Sequence, residues 1–197
     1  MRRLLHDVRG ASAAEFALVL PLLMLLLFGM IDTGRYMWEH NQAEKATQMG
    51  ARMAVVTDVV ASDLAAVNYV GVGGLTQGDR IPASALGVLT CTSATACVCT
   101  TAPCPSLTRN GPAFAAIVAR MRLMKPDIVA SNVSISYQGS GLGYAGDPNG
   151  MEIAPLVTVS LTGVQFRPLS LLMLTHTTMP DFATTLTAED SVGSQSN

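Results

Sequence analysis

Glu15 is a lone carboxylate at the head of sixteen uncharged, mostly apolar residues, 16–31. A carboxylate at the edge of a membrane-competent helix is costly unless something pairs with it, so its partner is the first chemical question the chain raises. The second is the cysteine cluster, Cys91, Cys97, Cys99 and Cys104. An even number of cysteines in an exported domain points to two disulfides, for which three pairings are open. Cys97 and Cys99 are one residue apart, so each is expected to bond elsewhere. Structural zinc prefers paired Cys-x2–4-Cys ligands, and the spacing C-x5-C-x-C-x4-C does not match.

Other candidate groups point away from catalysis. Gly141, Gly143 and Gly146 formally match a dinucleotide fingerprint, which works only where a strand turns into a helix. Here Asp147-Pro148-Asn149-Gly150 follows, which is turn chemistry and implies a glycine-rich hairpin loop. Asp147 and Asn149 offer two oxygens, too few for calcium. His6, His40 and His176 stand at no motif-defining distance from a Ser, Cys or carboxylate, and the cysteines carry no nucleophile signature. Asn132-Val133-Ser134 is a glycosylation sequon by letter only. Asp32 and Arg35 are three apart on a helix face and suit an ion pair. Gly29, Thr33 and Gly34 would allow helices to approach closely beside them. The expectation is a chain that is not an enzyme and needs no cofactor, metal or small-molecule substrate.

The elements that carry these groups begin with a membrane span. Residues 16–31 rise about 24 Å as a helix, and residues 11–14 extend them to about the 20 residues that a bilayer core requires. Arg2, Arg3 and Arg9 precede the span, so the N-terminus is expected in the cytoplasm. Tyr36 and Trp38 suit the far interface. A removable signal peptide would place its small-residue site after the apolar core, whereas here the small residues 10–14 come before it. Net charge is -2 and Lys and Arg form no patch beyond the leader, which argues against a nucleic-acid partner. Aromatics make up only 5% of the chain, too few for ligand-stacking platforms.

Beyond the span the helical pattern continues. Ala46, Met49, Met53, Val56 and Val60 form an apolar stripe, so one helix is expected from about residue 12 to about residue 60. Residues 62–110, rich in Gly, Thr, Ser, Ala and Pro, are expected to be a mostly irregular excursion stapled by the disulfides, with Val67–Val72 and Ala85–Thr90 as candidate short strands or helix turns. A second helix is expected from Gly111-Pro112 to about Lys125, ended by Pro126. Period-2 alternation marks strands at 131–138, 155–163 and 182–189. The apolar stretch 168–174 is too short to cross a membrane and is expected to pack on the core or lie at the membrane surface. The fold class is therefore α+β, with a long N-terminal helix, half in the membrane and half amphipathic, packed on a small antiparallel sheet. The expected divisions are 1–10 leader, 11–33 span, 34–61 helical extension, 62–190 extracytoplasmic domain and 191–197 flexible tail.

Three groups of residues resemble a known family. They are Ala14-Glu15-Phe16-Ala17-Leu18-Val19-Leu20-Pro21-Leu22-Leu23, then Phe28-Gly29-Met30-Ile31-Asp32-Thr33-Gly34-Arg35, then Gly50-Ala51-Arg52-Met53-Ala54. Gly10 followed five residues later by Glu15 and then Phe16 resembles the class III signal of type IV pilin-like proteins. The whole set resembles the TadE-like family, minor pseudopilins of the tight-adherence (Flp) pilus system. The resemblance implies a pilin-like fold and cleavage between Gly10 and Ala11 by a prepilin peptidase. It also implies a single-pass position in the bacterial inner membrane, with the C-terminal domain periplasmic or extracellular. Its implied partners are other pilin-like subunits and the pilus assembly platform, and its implied role is pilus biogenesis and adhesion. Cleavage would free the Ala11 amine, largely cationic at neutral pH with a reference pKa of about 8. Glu15, one turn away, could pair with that amine on a neighbouring subunit, with Phe16 beside it. The alternative is a membrane-anchored envelope binding module or adhesin outside any pilus. The cysteine-bearing stretch is not part of the resemblance.

Overall fold

A computed structural model describes residues 11–105, 107–148, 150–169 and 176–189. The leader, the tail and most of the apolar stretch 168–174 lie outside the described residues. The first element, α1 (Ala11–Ala54), is one continuous helix with Pro21 inside it. Ala, Leu and Met dominate its sequence and favour helix. It ends at Ala54 rather than near residue 60. Val55, Val56, Thr57, Val59 and Val60 are β-branched and lose side-chain freedom in a helix. The Thr57 hydroxyl donates to the Met53 carbonyl at 2.7 Å. Val60 donates its N–H to the Tyr137 hydroxyl at 2.9 Å and accepts from the Asn110 N–H at 2.7 Å. Tertiary partners thus take the backbone groups that a longer helix would use.

The chain divides into two compact units, Met1–His40 with Gln165–Thr178, and Asn41–Val164 with Met179–Asn197. In the first, β5 (Gln165–Phe166) and β6 (Thr177–Thr178) form a short antiparallel ribbon.

The second unit holds a five-stranded antiparallel sheet in the order β2-β1-β3-β4-β7. The strands are β1 (Val88–Cys91), β2 (Val98–Thr101), β3 (Val133–Gln138), β4 (Leu156–Leu161) and β7 (Phe182–Thr187). The three strands marked by alternation are present and pair as neighbours: Ile135 faces Val159, and Val159 faces Thr184. Val133, Ile135, Tyr137, Val157, Val159 and Leu161 point into the core.

The excursion 62–110 is largely irregular, but β1, which overlaps the candidate strand 85–90, and β2 extend the sheet by two strands. Each has only four residues, and all four of β2 are exposed, so no alternation betrays that strand. Of the expected apolar stripe, Ala46, Met53 and Val60 are buried, whereas Met49 and Val56 are half-exposed. The rest of the buried face of α1 is made by Ala43, Thr47, Ala51 and Ala54. These small residues let the helix lie close to its neighbours. A Cβ at Gly50 would stand 2.8 Å from Met121 Cγ and 3.2 Å from Val159 Cγ1.

The second helix, α2 (Gly111–Arg122), starts where expected. The Asn110 side chain caps it by accepting the Ala113 N–H at 3.1 Å, and Pro112 sits in the first turn, where its missing donor costs nothing. Phe114, Ile117, Val118 and Met121 form its buried face.

Candidate functional site

The residues that matter most for function lie along α1. Gly10, the expected cleavage position, lies outside the described residues. Ala11 is the first residue of the helix. Glu15 and Phe16 follow on its first turns, and both are exposed. Among the described residues none pairs with Glu15. The helix from Ala13 is long and apolar enough to cross a membrane, and none of its most apolar stretch is buried. Leu18, Leu22, Leu25 and Met30 are among its exposed side chains. Sixteen apolar residues open to their surroundings on every side fit a single-pass membrane anchor rather than a core helix.

Just past this run the expected Asp32–Arg35 pair forms, at 3.4 Å. It does more than the sequence implied. Asp32 is only 6% exposed, and its carboxylate accepts the backbone N–H of Leu169 at 2.7 Å. Arg35 donates to the Arg167 carbonyl at 3.3 Å and reaches Glu39 at 3.8 Å. The Tyr36 ring meets Phe166 edge-on at 5.4 Å, and the Arg35 guanidinium lies 5.5 Å from the centre of the same ring. One turn of helix thus holds residues 166–169, more than a hundred positions away in the chain. The apolar run from Pro168 implied packing or a surface position, but nothing in 165–169 names Asp32, Arg35 and Tyr36 as the partners.

The four cysteines form two disulfides, Cys91–Cys97 and Cys99–Cys104. The first closes the β1–β2 hairpin, and the second ties β2 to the returning chain. Cys91 and Cys97 are buried, whereas Cys99 is exposed. Arg109 docks the hairpin on α2: it donates to the Thr92 carbonyl at 3.2 Å and lies 5.2 Å over the Phe114 ring. The Gly141-x-Gly143-x-x-Gly146 stretch is the expected loop. Its three glycines take positive φ of 77°, 123° and 74°, Gly143 bridges Ile153, and among the described residues no helix follows before β4.

Beside this loop is a buried pair that sequence reasoning missed. Glu152 accepts the Tyr69 N–H at 2.9 Å. Burial, helped by the Glu152 charge, pushes the Tyr69 hydroxyl up to about 12. Its position suits a loop anchor. His176 is exposed and His40 half-buried. Among the described residues no group of three or more His, Cys, Asp or Glu side chains converges on a metal position. An open groove of about 470 Å³ lies at the end of α1, where Met49, Arg52, Val55, Arg120, Leu186 and Glu189 contribute mixed charge and apolar surface.

Residues 10–52 match the family model described as TadE-like protein. The resemblance read from Glu15, Asp32, Arg35 and Gly50 is therefore shown for that segment, which is under a quarter of the 197 residues. Neither a curated protein nor a solved structure matches the chain.

Proposed function

We propose that this chain, with a TadE-like segment at residues 10–52, is a minor pilin-like subunit of a tight-adherence (Flp) pilus or a related secretion apparatus. It is not an enzyme. It sits in the bacterial inner membrane through α1, leader inward and sheet outward, and works by assembly with other pilin-like subunits. The observation that carries this reading is the join of three features on one helix. They are the small residue Gly10 just before Ala11, a carboxylate at Glu15 that pairs with none of the described residues, and an apolar stretch exposed on every side.

The chemistry follows from those features. A prepilin peptidase would cut the Gly10–Ala11 bond on the cytoplasmic face and leave the helix in the bilayer. The new amine and Glu15 then sit about one turn apart on a helix of 3.6 residues per turn. Each is costly alone in lipid, and pairing between neighbouring helices removes that cost. Phe16 lies next to the pair as apolar cover.

The test is the N-terminus of the membrane-bound protein from its native host. Sequencing is expected to begin at Ala11, and Gly10→Leu is expected to leave the leader attached. A wild-type protein that begins at Met1, or after Ile31, would overturn the assignment.

A further inference from the structure

We propose that residues 165–169 are a second, peripheral membrane contact, a strip held against α1 at the outer lipid interface that shields Asp32 from the bilayer. The proposal rests on the reading of α1 as a membrane span.

Depth comes from the helix itself. At about 1.5 Å per residue the expected span, residues 11–33, covers the roughly 30 Å hydrocarbon core and ends one residue past Asp32. Asp32 therefore stands at or just inside the outer limit of the apolar layer. An ionised carboxylate there is costly unless it is shielded and hydrogen-bonded. The structure supplies both. Asp32 is 6% exposed and takes the Leu169 N–H at 2.7 Å with Arg35 at 3.4 Å.

The strip has two sides. Phe166 and Pro168 are buried, with Phe166 against Tyr36. Arg167 and Leu169 alternate with them and face outward, Leu169 at 39% exposure. An outward leucine beside an outward arginine matches an interfacial surface, with the apolar side chain toward the acyl chains and the guanidinium among head groups. On the helix face of Asp32, one and two turns toward the N-terminus, Phe28 and Leu25 of the span are exposed. That continuity identifies the occupant as the bilayer.

Trp38 is the single tryptophan, which makes a depth measurement direct. In a Trp38→Phe background, tryptophan is placed in turn at Leu169, at Leu25 within the span, and at the exposed Thr185 of β7. The full chain is reconstituted in phosphatidylcholine–phosphatidylglycerol vesicles with brominated acyl chains. Loss of emission is expected at positions 169 and 25 and not at 185. Emission retained at 169 but lost at 25 overturns the peripheral contact and leaves the span intact. Emission retained at 25 overturns the span and the proposal with it. Equal loss at 185 overturns the specificity of the strip. Adding Asp32→Ala is expected to restore emission at 169 alone, whereas Asp32→Asn, whose amide oxygen still accepts the Leu169 N–H, is expected to keep the loss. Quenching at 169 that survives Asp32→Ala overturns the role of Asp32 in holding the strip.

Discussion

Single residues in the TadE-like segment have separable physical tasks. Gly50 and Ala51 are small because the helix meets Met121 and Val159 at close range. Asp32 and Arg35 bind a distant piece of chain. Glu15 has no such partner among the described residues, and a carboxylate contributes nothing favourable to insertion. Glu15→Ala is therefore expected to insert and be cleaved normally, and to co-purify poorly with other pilin-like subunits, with loss of pilus-dependent adhesion. Pull-down and adhesion assays check this, and full adhesion with normal complexes would make the carboxylate incidental. Tyr69 allows a pH prediction. Its hydroxyl titrates near 12 in the folded protein, from an ordinary value near 10. The unfolded chain thus loses that proton first, and stability should fall as pH rises from about 10 to about 12. Below that window the contribution is fully present. Tyr69→Phe is expected to flatten part of this alkaline decline, measured by denaturant unfolding of the detergent-solubilised chain against pH.

Among the elements, the β1–β2 hairpin was the least legible. Its cysteines were evident and their even count implied bridges, but pairing depends on which Cβ atoms the hairpin brings together. β1 lies between β2 and β3, and that position puts Cys91 and Cys97 inside the unit while Cys99 stays on the exposed edge strand. All four thiols are expected to resist alkylation without reduction, as read by mass spectrometry of protein isolated under non-reducing conditions. Replacing Cys91 and Cys97 together by serine is expected to lower thermal stability more than replacing Cys99 and Cys104. The first change adds buried hydroxyls to the loss of a crosslink. Equal shifts in melting temperature would show that burial does not matter there. The end of α1 shows the same limit. Its periodic stripe suggested residue 60, yet the β-branched run after Ala54 and the Tyr137 hydroxyl at Val60 decide where the helix stops.

For the whole molecule, hydrogen exchange is expected to give slow amides in β1, β3 and β4, which have strands on both sides. Faster exchange is expected in β2, whose residues are exposed. Fast exchange throughout 156–161 would contradict the sheet. The sequence by itself determined whatever depends on local composition and period. The apolar helical run at 16–31, the helix start at Gly111-Pro112, the three alternating strands and the α+β class were legible because each is written in consecutive residues. So was the TadE-like character of the first helix. Only the tertiary structure decided the contacts between segments far apart in the chain. It placed β1 and β2 in the sheet, chose the disulfide pairs, buried Tyr69 with Glu152, and brought residues 166–169 onto Asp32, Arg35 and Tyr36. The physical reason is the same in each case. A backbone N–H or a ring edge becomes a partner only when folding has already paid the entropy of bringing distant chain together, and no local pattern records which distant segment will arrive.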